Sequence, residues 1–312
     1  MANEVALVFC FDEKFGRYAS VAIASALANA DTPYKIYCLY SGTSENFPEE
    51  IHGLAQRFRC EIVKVDVPPM LFAGWKTSEA YTQAVYHRLL IPQVVAEPRA
   101  VYLDCDLVVT CGLSPLFDLD MQGNWIGGCS DLNSAATNLL GLPSHEPYLN
   151  SGVLLLDTQQ LRLHRPLDVI RGIYEQNEAR ILWPDQCLIN KMAEGKKSVL
   201  EARWNVQMHS IAPAELARQL EDWEGEAVIH FTGPPKPWME WSPTAARKLW
   251  SRYARLAGFG RDELLIRASD VPQKTWVAAQ REAEGDWKGA AETWRDLAYS
   301  LIGHIRATQV AA

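Results

Sequence analysis

Asp104 and Asp106 stand one residue apart in AVYLDCDLVVT, residues 100–110, with apolar residues on both sides. Along a strand, residues two apart point to one side. The spacing therefore aims both carboxylates the same way and turns Cys105 the other way. Two carboxylates held together repel, and both stay ionised only with compensation. A divalent cation supplies it, and hard oxygen ligands suit Mn²⁺ or Mg²⁺. The plainer alternative ends the strand at Leu103 and leaves both aspartates in a solvated loop. A bare D-x-D is short and common, which favours that alternative. The apolar flanks count against it, because they place the pair at a strand end near the core.

A second set lies in VIHFTGPPKPW, residues 228–238. His230 follows an apolar run, and an imidazole can complete a metal site begun by two carboxylates. Gly233 permits close backbone approach to a phosphate, and Lys236 can neutralise one. Taken alone, His230 is better explained as a core histidine, and Lys236 can be read as a surface lysine in a proline turn.

These residues need elements to position them. VALVFCF, then the helical YASVAIASALANA, then YKIYCLY, PEEIHGLAQRF and CEIVKVDV alternate strand and helix with short connections. That order predicts a parallel, doubly wound sheet, whose ligands gather at the carboxyl ends of the strands. TSEAYTQAVYHRLLIPQVV is expected as one helix and AVYLDCDLVVT as one strand. WIGGCSD and YLNSGVLLLDT read as strands, and QQLRLHRPLDVIRGIYEQN as a helix. WPDQCLINKMAEG reads as a short helix with its N-terminus at Asp185. Two amphipathic helices hinged near Gly285 close the chain and resemble one tetratricopeptide-type hairpin, a candidate surface for a partner or a second copy. The division expected is a catalytic domain over residues 1–258 and a helical extension over 259–312.

Composition bounds the function. Of 312 residues, 48% are hydrophobic and 22% charged, the balance of a globular protein. The net charge of -8 disfavours general affinity for nucleic acid or an anionic membrane. No signal peptide and no membrane span are read. The seven cysteines are scattered and form no C-x-x-C, so they are expected as reduced core residues in a cytoplasmic protein. Neither a G-x-G-x-x-G after the first strand nor a P-loop is present.

VYLDCDLVV, YLNSGVLLLD, WPDQCLIN and HFTGPPKPW occur in an order and spacing that resembles the retaining glycosyltransferases of family 8, of the glycogenin and lipopolysaccharide galactosyltransferase type. The likeness runs from residue 5 to about residue 250. It implies the GT-A fold, an α/β architecture with a single Rossmann-like mixed sheet flanked by helices. It also implies Mn²⁺ dependence and a UDP-hexose donor, UDP-glucose or UDP-galactose, with a glycan or lipid-linked saccharide as acceptor. Bacterial members of this type often build cell-surface glycans such as lipopolysaccharide from the cytoplasmic side, which adds a peripheral place at the inner membrane as an expectation.

Residue by residue, the resemblance assigns Asp104, Asp106 and His230 to the metal, with Asp104 also on the donor side. Gly233 and Lys236 match contacts to the diphosphate. Asp12 matches a uracil contact, and Phe15 is placed to stack near the base. Lys14 departs from the pattern, standing where a bacterial member has asparagine. Arg88 matches an arginine that reaches the donor. Asp131 and Asn150 match residues around the donor sugar and the acceptor side, and Asp185 and Gln186 match the pair beneath the reacting sugar. A covalent route needs a carboxylate opposite the leaving group, and Gln186 is a neutral amide. Front-face attack through an oxocarbenium-like transition state is therefore expected, with Asp185 and Gln186 positioning and stabilising charge. The loops 72–80 and 232–238 are expected to close over the donor.

Three rival readings compete with this one. A haloacid-dehalogenase-type phosphatase carries its D-x-D on the first strand, which is not the case here. A silent nucleotide-sugar-binding or scaffold protein is opposed by the intact set Asp104, Asp106 and His230. A self-glycosylating initiator needs an acceptor tyrosine, and eleven tyrosines make that arithmetically open.

Overall fold

The VALVFCF run becomes strand β1, Val5–Asp12, buried along almost its whole length. A strand covered on both faces needs apolar residues along its covered length, which this one has from Val5 to Phe11. The computed structural model describes residues 4–77, 82–131, 134–208 and 226–310, together with Arg218, Leu220 and Trp223. The remaining strands are β2 Tyr34–Ser41, β3 Glu61–Asp66, β4 Arg99–Leu103, β5 Leu107–Val109, β6 Ile126–Ser130, β7 Leu149–Asp157, β8 Lys197–Val199, β9 Val206–Gln207 and β10 Val228–His230. The main sheet has seven strands in the order β3-β2-β1-β4-β7-β6-β8, and a small sheet has the order β5-β10-β9.

The sheet is mixed. β1 is parallel to β2 and β4, whereas β7 runs antiparallel to both β4 and β6. The chain builds outward through β2 and β3, then returns to place β4 on the other side of β1. Such a reversal opens a crevice at the carboxyl ends of the two central strands. Asp12 ends β1 and Asp104 directly follows β4, so the fold delivers both to that edge.

Four expected elements differ from those observed. AVYLDCDLVVT is not one strand: it breaks at Asp104-Cys105-Asp106, where the chain leaves the main sheet at β4 and enters the small one at β5. The expected helix before β4 is a 3-10 helix, Gln83–Leu90, followed by one α-turn, Ile91–Val94, and its first residues, 78–81, lie outside the described ones. The helix expected after β7 is two, Thr158–His164 and Leu167–Asn177. Pro166 separates them, because it has no N–H and its ring would clash with the preceding turn. The helix at WPDQCLIN runs Pro184–Met192 with Trp183 as its cap, so Asp185 lies inside the first turn and does not cap it.

The chain divides into two compact units. The first holds Met1–Gln207, Trp223–His230 and Leu256–Gly258, and the second Met208–Asp222, Phe231–Arg255 and Phe259–Ala312. Residues 231–255 thus group with the C-terminal helices. Within the second unit, helices Val271–Ala283 and Trp287–Val310 form the hairpin, with Gly285 at φ +78° between them. Trp276 and Trp287 are exposed, and the Trp294 indole donates to Glu282 at 2.8 Å. Among the described residues, no helix is long and apolar enough to cross a membrane. All seven cysteines are free, five of them buried, and burial raises the thiol pKa of Cys10, Cys38 and Cys105.

Candidate active site

The break between β4 and β5 makes the site. Asp104 leaves the sheet with its N–H still donating to Gly152 O on β7 at 2.8 Å. His230 ends β10 and pairs with Leu107 at the start of β5, one residue past Asp106. Asp104, Asp106 and His230 thereby converge, with one potential ligand atom from each lying within 4.8 Å of the others. His230 Nε2 is 3.2 Å from Asp106 Oδ1 and 3.7 Å from Asp104 Oδ2. Burial raises the Asp104 carboxyl above its ordinary range; Asp106 adds to the rise and Arg88 opposes it. Two oxygen ligands and one imidazole, closely set and in need of positive charge, fit a divalent cation of the Mn²⁺ or Mg²⁺ kind.

Gly152 lets the imidazole in. A Cβ there would lie 2.1 Å from His230 Cε1 and 2.9 Å from Asp104 Oδ2. Only glycine at this position of β7 leaves room for the ring and the carboxylate side by side.

Arg88 sits behind the triad, almost wholly buried. Its guanidinium pairs with Asp104 Oδ1 and with Asp185 Oδ2, both at 2.9 Å, and also donates to Ser151 O at 2.9 Å and Val85 O at 3.0 Å. The Tyr102 hydroxyl donates to the same Asp104 oxygen, and the guanidinium lies 4.4 Å from the Tyr102 ring centre. Asp185 Oδ2 also accepts from Ser151 Oγ at 2.7 Å. Asp185 is thus held as half of a buried ion pair.

Gln186, on the next position of the same helix, is oriented without ambiguity. Its Oε1 accepts from the backbone N–H of Ser151 at 3.1 Å and from Asn150 Nδ2 at 3.2 Å. A backbone N–H only donates, so the other terminus of the side chain must be Nε2. It donates to Asp131 Oδ2 at 3.0 Å, which brings Asp131, Asn150 and Gln186 into one cluster.

Asp12 accepts from the Phe15 N–H at 3.1 Å, a turn at the end of β1, and Phe15 packs edge-on to Tyr18 at 5.8 Å between centres. Gly233 and Lys236 belong to the second unit. There Gly233 takes φ +69°, and Lys236 Nζ donates to Phe231 O at 2.7 Å. In the loop from residue 72, Phe72 is buried and Trp75 stacks on Tyr174 at 4.1 Å, while residues 78–80 lie outside the described ones.

Sequence reasoning missed Tyr102, Ser151, Gly152 and Asn205. Asn205 Oδ1 accepts from His230 Nδ1 at 2.9 Å, and Asn205 Nδ2 donates to Asn150 Oδ1 at 2.8 Å. The available signal was an amide set between apolar neighbours in RWNVQM, residues 203–208.

The comparisons with known proteins bear on the family and the fold. General stress protein A of Bacillus subtilis is 25% identical over 247 residues, covering 74% of this chain and 86% of that protein. Glycosyltransferase GlyF of Streptococcus pneumoniae is 28% identical over 212 residues, covering 67% of this chain, which spans only half of GlyF's length. The crystal structure of the galactosyltransferase LgtC with donor and acceptor sugar analogues superposes with a TM-score of 0.70 at 26% identity, over 83% of this chain and 98% of that one. GlyE of Streptococcus pneumoniae shares the fold, with a TM-score of 0.62 at 22% identity over 80% of this chain and 60% of that one. The fold is therefore GT-A-like, as the sequence implied. Residues 6–242 match the family model of glycosyl transferase family 8, and the chain belongs to that family.

Proposed function

We propose that this glycosyltransferase moves a hexose from a UDP-sugar to a hydroxyl of a glycan or lipid-linked saccharide, with retention and with a divalent cation, Mn²⁺ foremost. The observation that carries the reading is the convergence of Asp104, Asp106 and His230 at the carboxyl edge of the central strands. The three would hold the cation, which when bound offsets the charge that develops on a leaving diphosphate. Gly233 and Lys236 would serve the same diphosphate. Asp12 and Phe15 would meet the nucleobase, and Asp131 and Asn150 the hexose hydroxyls.

Arg88 holds Asp104 in place and favours its ionised form against burial, because its guanidinium is paired to that carboxylate. Its hydrogen bonds go to Asp104, Ser151 and Val85 and its second ion pair to Asp185, so Arg88 would act on the donor through the carboxylates it holds. The bonds of Asp185 to Arg88 and Ser151 oppose a role as a free nucleophile. The Gln186 amide is a poor nucleophile, held with its N–H toward Asp131. Both features support attack on the face of the leaving group, with Asp185 and Gln186 setting charge and position beneath the sugar. Free, buried thiols support work in a reducing compartment such as the cytoplasm.

The test is calorimetric titration of UDP into wild type and Asp106→Ala, with and without Mn²⁺, followed by UDP release from UDP-glucose and UDP-galactose. Binding that needs both the metal and Asp106, with UDP release, is the expected result. UDP binding indifferent to both would refute the metal site, and binding without release would leave a silent scaffold.

A further inference from the structure

We propose that Asn205 is a positioning residue for the cation site: it holds the His230 ring so that Nε2, and not Nδ1, is offered to a divalent cation. This inference rests on the metal-dependent reading above and goes beyond it, because it assigns a role to a residue outside the ligand set.

The direction of the hydrogen bonds can be traced from a fixed point. The backbone N–H of Gly152 can only donate, and it reaches Asn150 Oδ1 at 3.0 Å. That fixes which terminal atom of Asn150 is the oxygen. Asn205 Nδ2 donates to the same oxygen at 2.8 Å, so the remaining terminus of Asn205 is its carbonyl. This carbonyl lies 2.9 Å from His230 Nδ1. An acceptor at that distance requires a hydrogen on Nδ1. With Nδ1 the N–H nitrogen, a neutral ring has its lone pair on Nε2, and Nε2 is the atom facing Asp106 and Asp104. Ligating histidines commonly have their second nitrogen fixed in this way, and the partner sets ring angle and tautomer.

The placement is rigid as well as correctly polarised. Asn205 is 3% exposed and ends a 3-10 turn, Ala202–Asn205, immediately before β9. β9 pairs with β10 so that Gln207 lies opposite His230. The strand that carries the ligand and the residue that orients it are therefore tied by the same small sheet. The relay Gly152–Asn150–Asn205–His230 also runs beside Gln186, which takes its own orientation from Asn150 and Ser151.

The experiment titrates Mn²⁺ alone into the full chain and reads free Mn²⁺ by electron paramagnetic resonance. It compares wild type, Asn205→Leu and Asn205→Asp. Leucine removes the acceptor, while aspartate keeps an acceptor for Nδ1–H, exchanges the donor to Asn150 for an oxygen and adds a negative charge, which itself favours a cation. Loss of such a partner typically weakens metal binding about 10–100-fold, the effect expected for Asn205→Leu. Asn205→Asp should stay within about threefold of wild type, because the acceptor is what matters. Equal losses in both variants would overturn the proposal by making Asn205 merely structural. An unchanged Asn205→Leu would overturn it too. Should Asn205→Leu fail to fold, Asn205→Ala takes its place: it also removes the acceptor, the same loss is expected, and an unchanged affinity refutes the role. Failure of the wild type itself to take Mn²⁺ would sink the metal reading, and this inference with it.

Discussion

Gly152→Ala is the smallest change that should disable the site. The added Cβ would stand 2.1 Å from His230 Cε1, 2.6 Å from Nδ1 and 2.9 Å from Asp104 Oδ2. Carbon atoms rest at about 3.5–4.0 Å, so the ring must retreat by more than about 1 Å. The backbone of residue 152 cannot yield instead without loss, because its carbonyl accepts from Asp104 N–H and its N–H donates to Asn150. Overpacking of this kind costs about 1–3 kcal/mol. The effect on the cation should be larger than that on stability. Metal–ligand distances tolerate only about 0.2 Å, and the ring's retreat is several times greater. Mn²⁺ affinity should fall at least about tenfold while the protein stays folded. The assay pairs Mn²⁺ titration with denaturant unfolding of the same preparation. Gly53→Ala and Gly172→Ala serve as controls, since a Cβ at either helical glycine meets nothing within 4 Å. Wild-type Mn²⁺ affinity in Gly152→Ala would refute the reasoning, because it would mean that the His230 position does not matter to the cation.

The two control variants carry a prediction of their own: each should stabilise the protein by about 0.5–1 kcal/mol, because glycine inside a helix is worse than alanine. Arg88→Leu strands Asp104 and Asp185 in the interior and should cost about 3–5 kcal/mol in denaturant unfolding. His87 is 2% exposed, and burial lowers its pKa from 6.5 to about 4. The unfolded chain therefore takes up a proton as pH falls through 6.5, while the folded protein does so only near 4, so stability is lost across that window. Relative to wild type, His87→Gln should gain about 2 kcal/mol between pH 7 and pH 4.5, measured by urea unfolding at both values. A parallel pH dependence in the two proteins would show that His87 is not the group responsible.

The residues that carry charge toward the ligand were legible in the sequence, and those that aim them were not. Asp104, Asp106 and His230 stood out because carboxylates and an imidazole are unusual beside apolar runs, and they do converge. The central strands were legible for a related reason: β1 and β2 are nearly continuous apolar runs because both faces are covered. The break within AVYLDCDLVVT was not legible. Its residues suit a strand throughout, and only pairing of β5 with β10, more than a hundred residues further on, draws the chain out of the main sheet. The same distance hides Asn205 and Gly152. A buried asparagine between apolar neighbours has no periodicity to mark it, and a glycine in a strand does not announce what approaches it. Both acquire meaning only when β7, β9 and β10 bring their neighbours to within hydrogen-bonding or contact distance. A D-x-D motif therefore marks a candidate cation site along the chain, but the quality of such a site would be set by amides and a glycine that long-range strand pairing supplies. That is why substitutions at Asn205 and Gly152, neither a ligand, are the sharper tests of whether this edge of the sheet holds a metal.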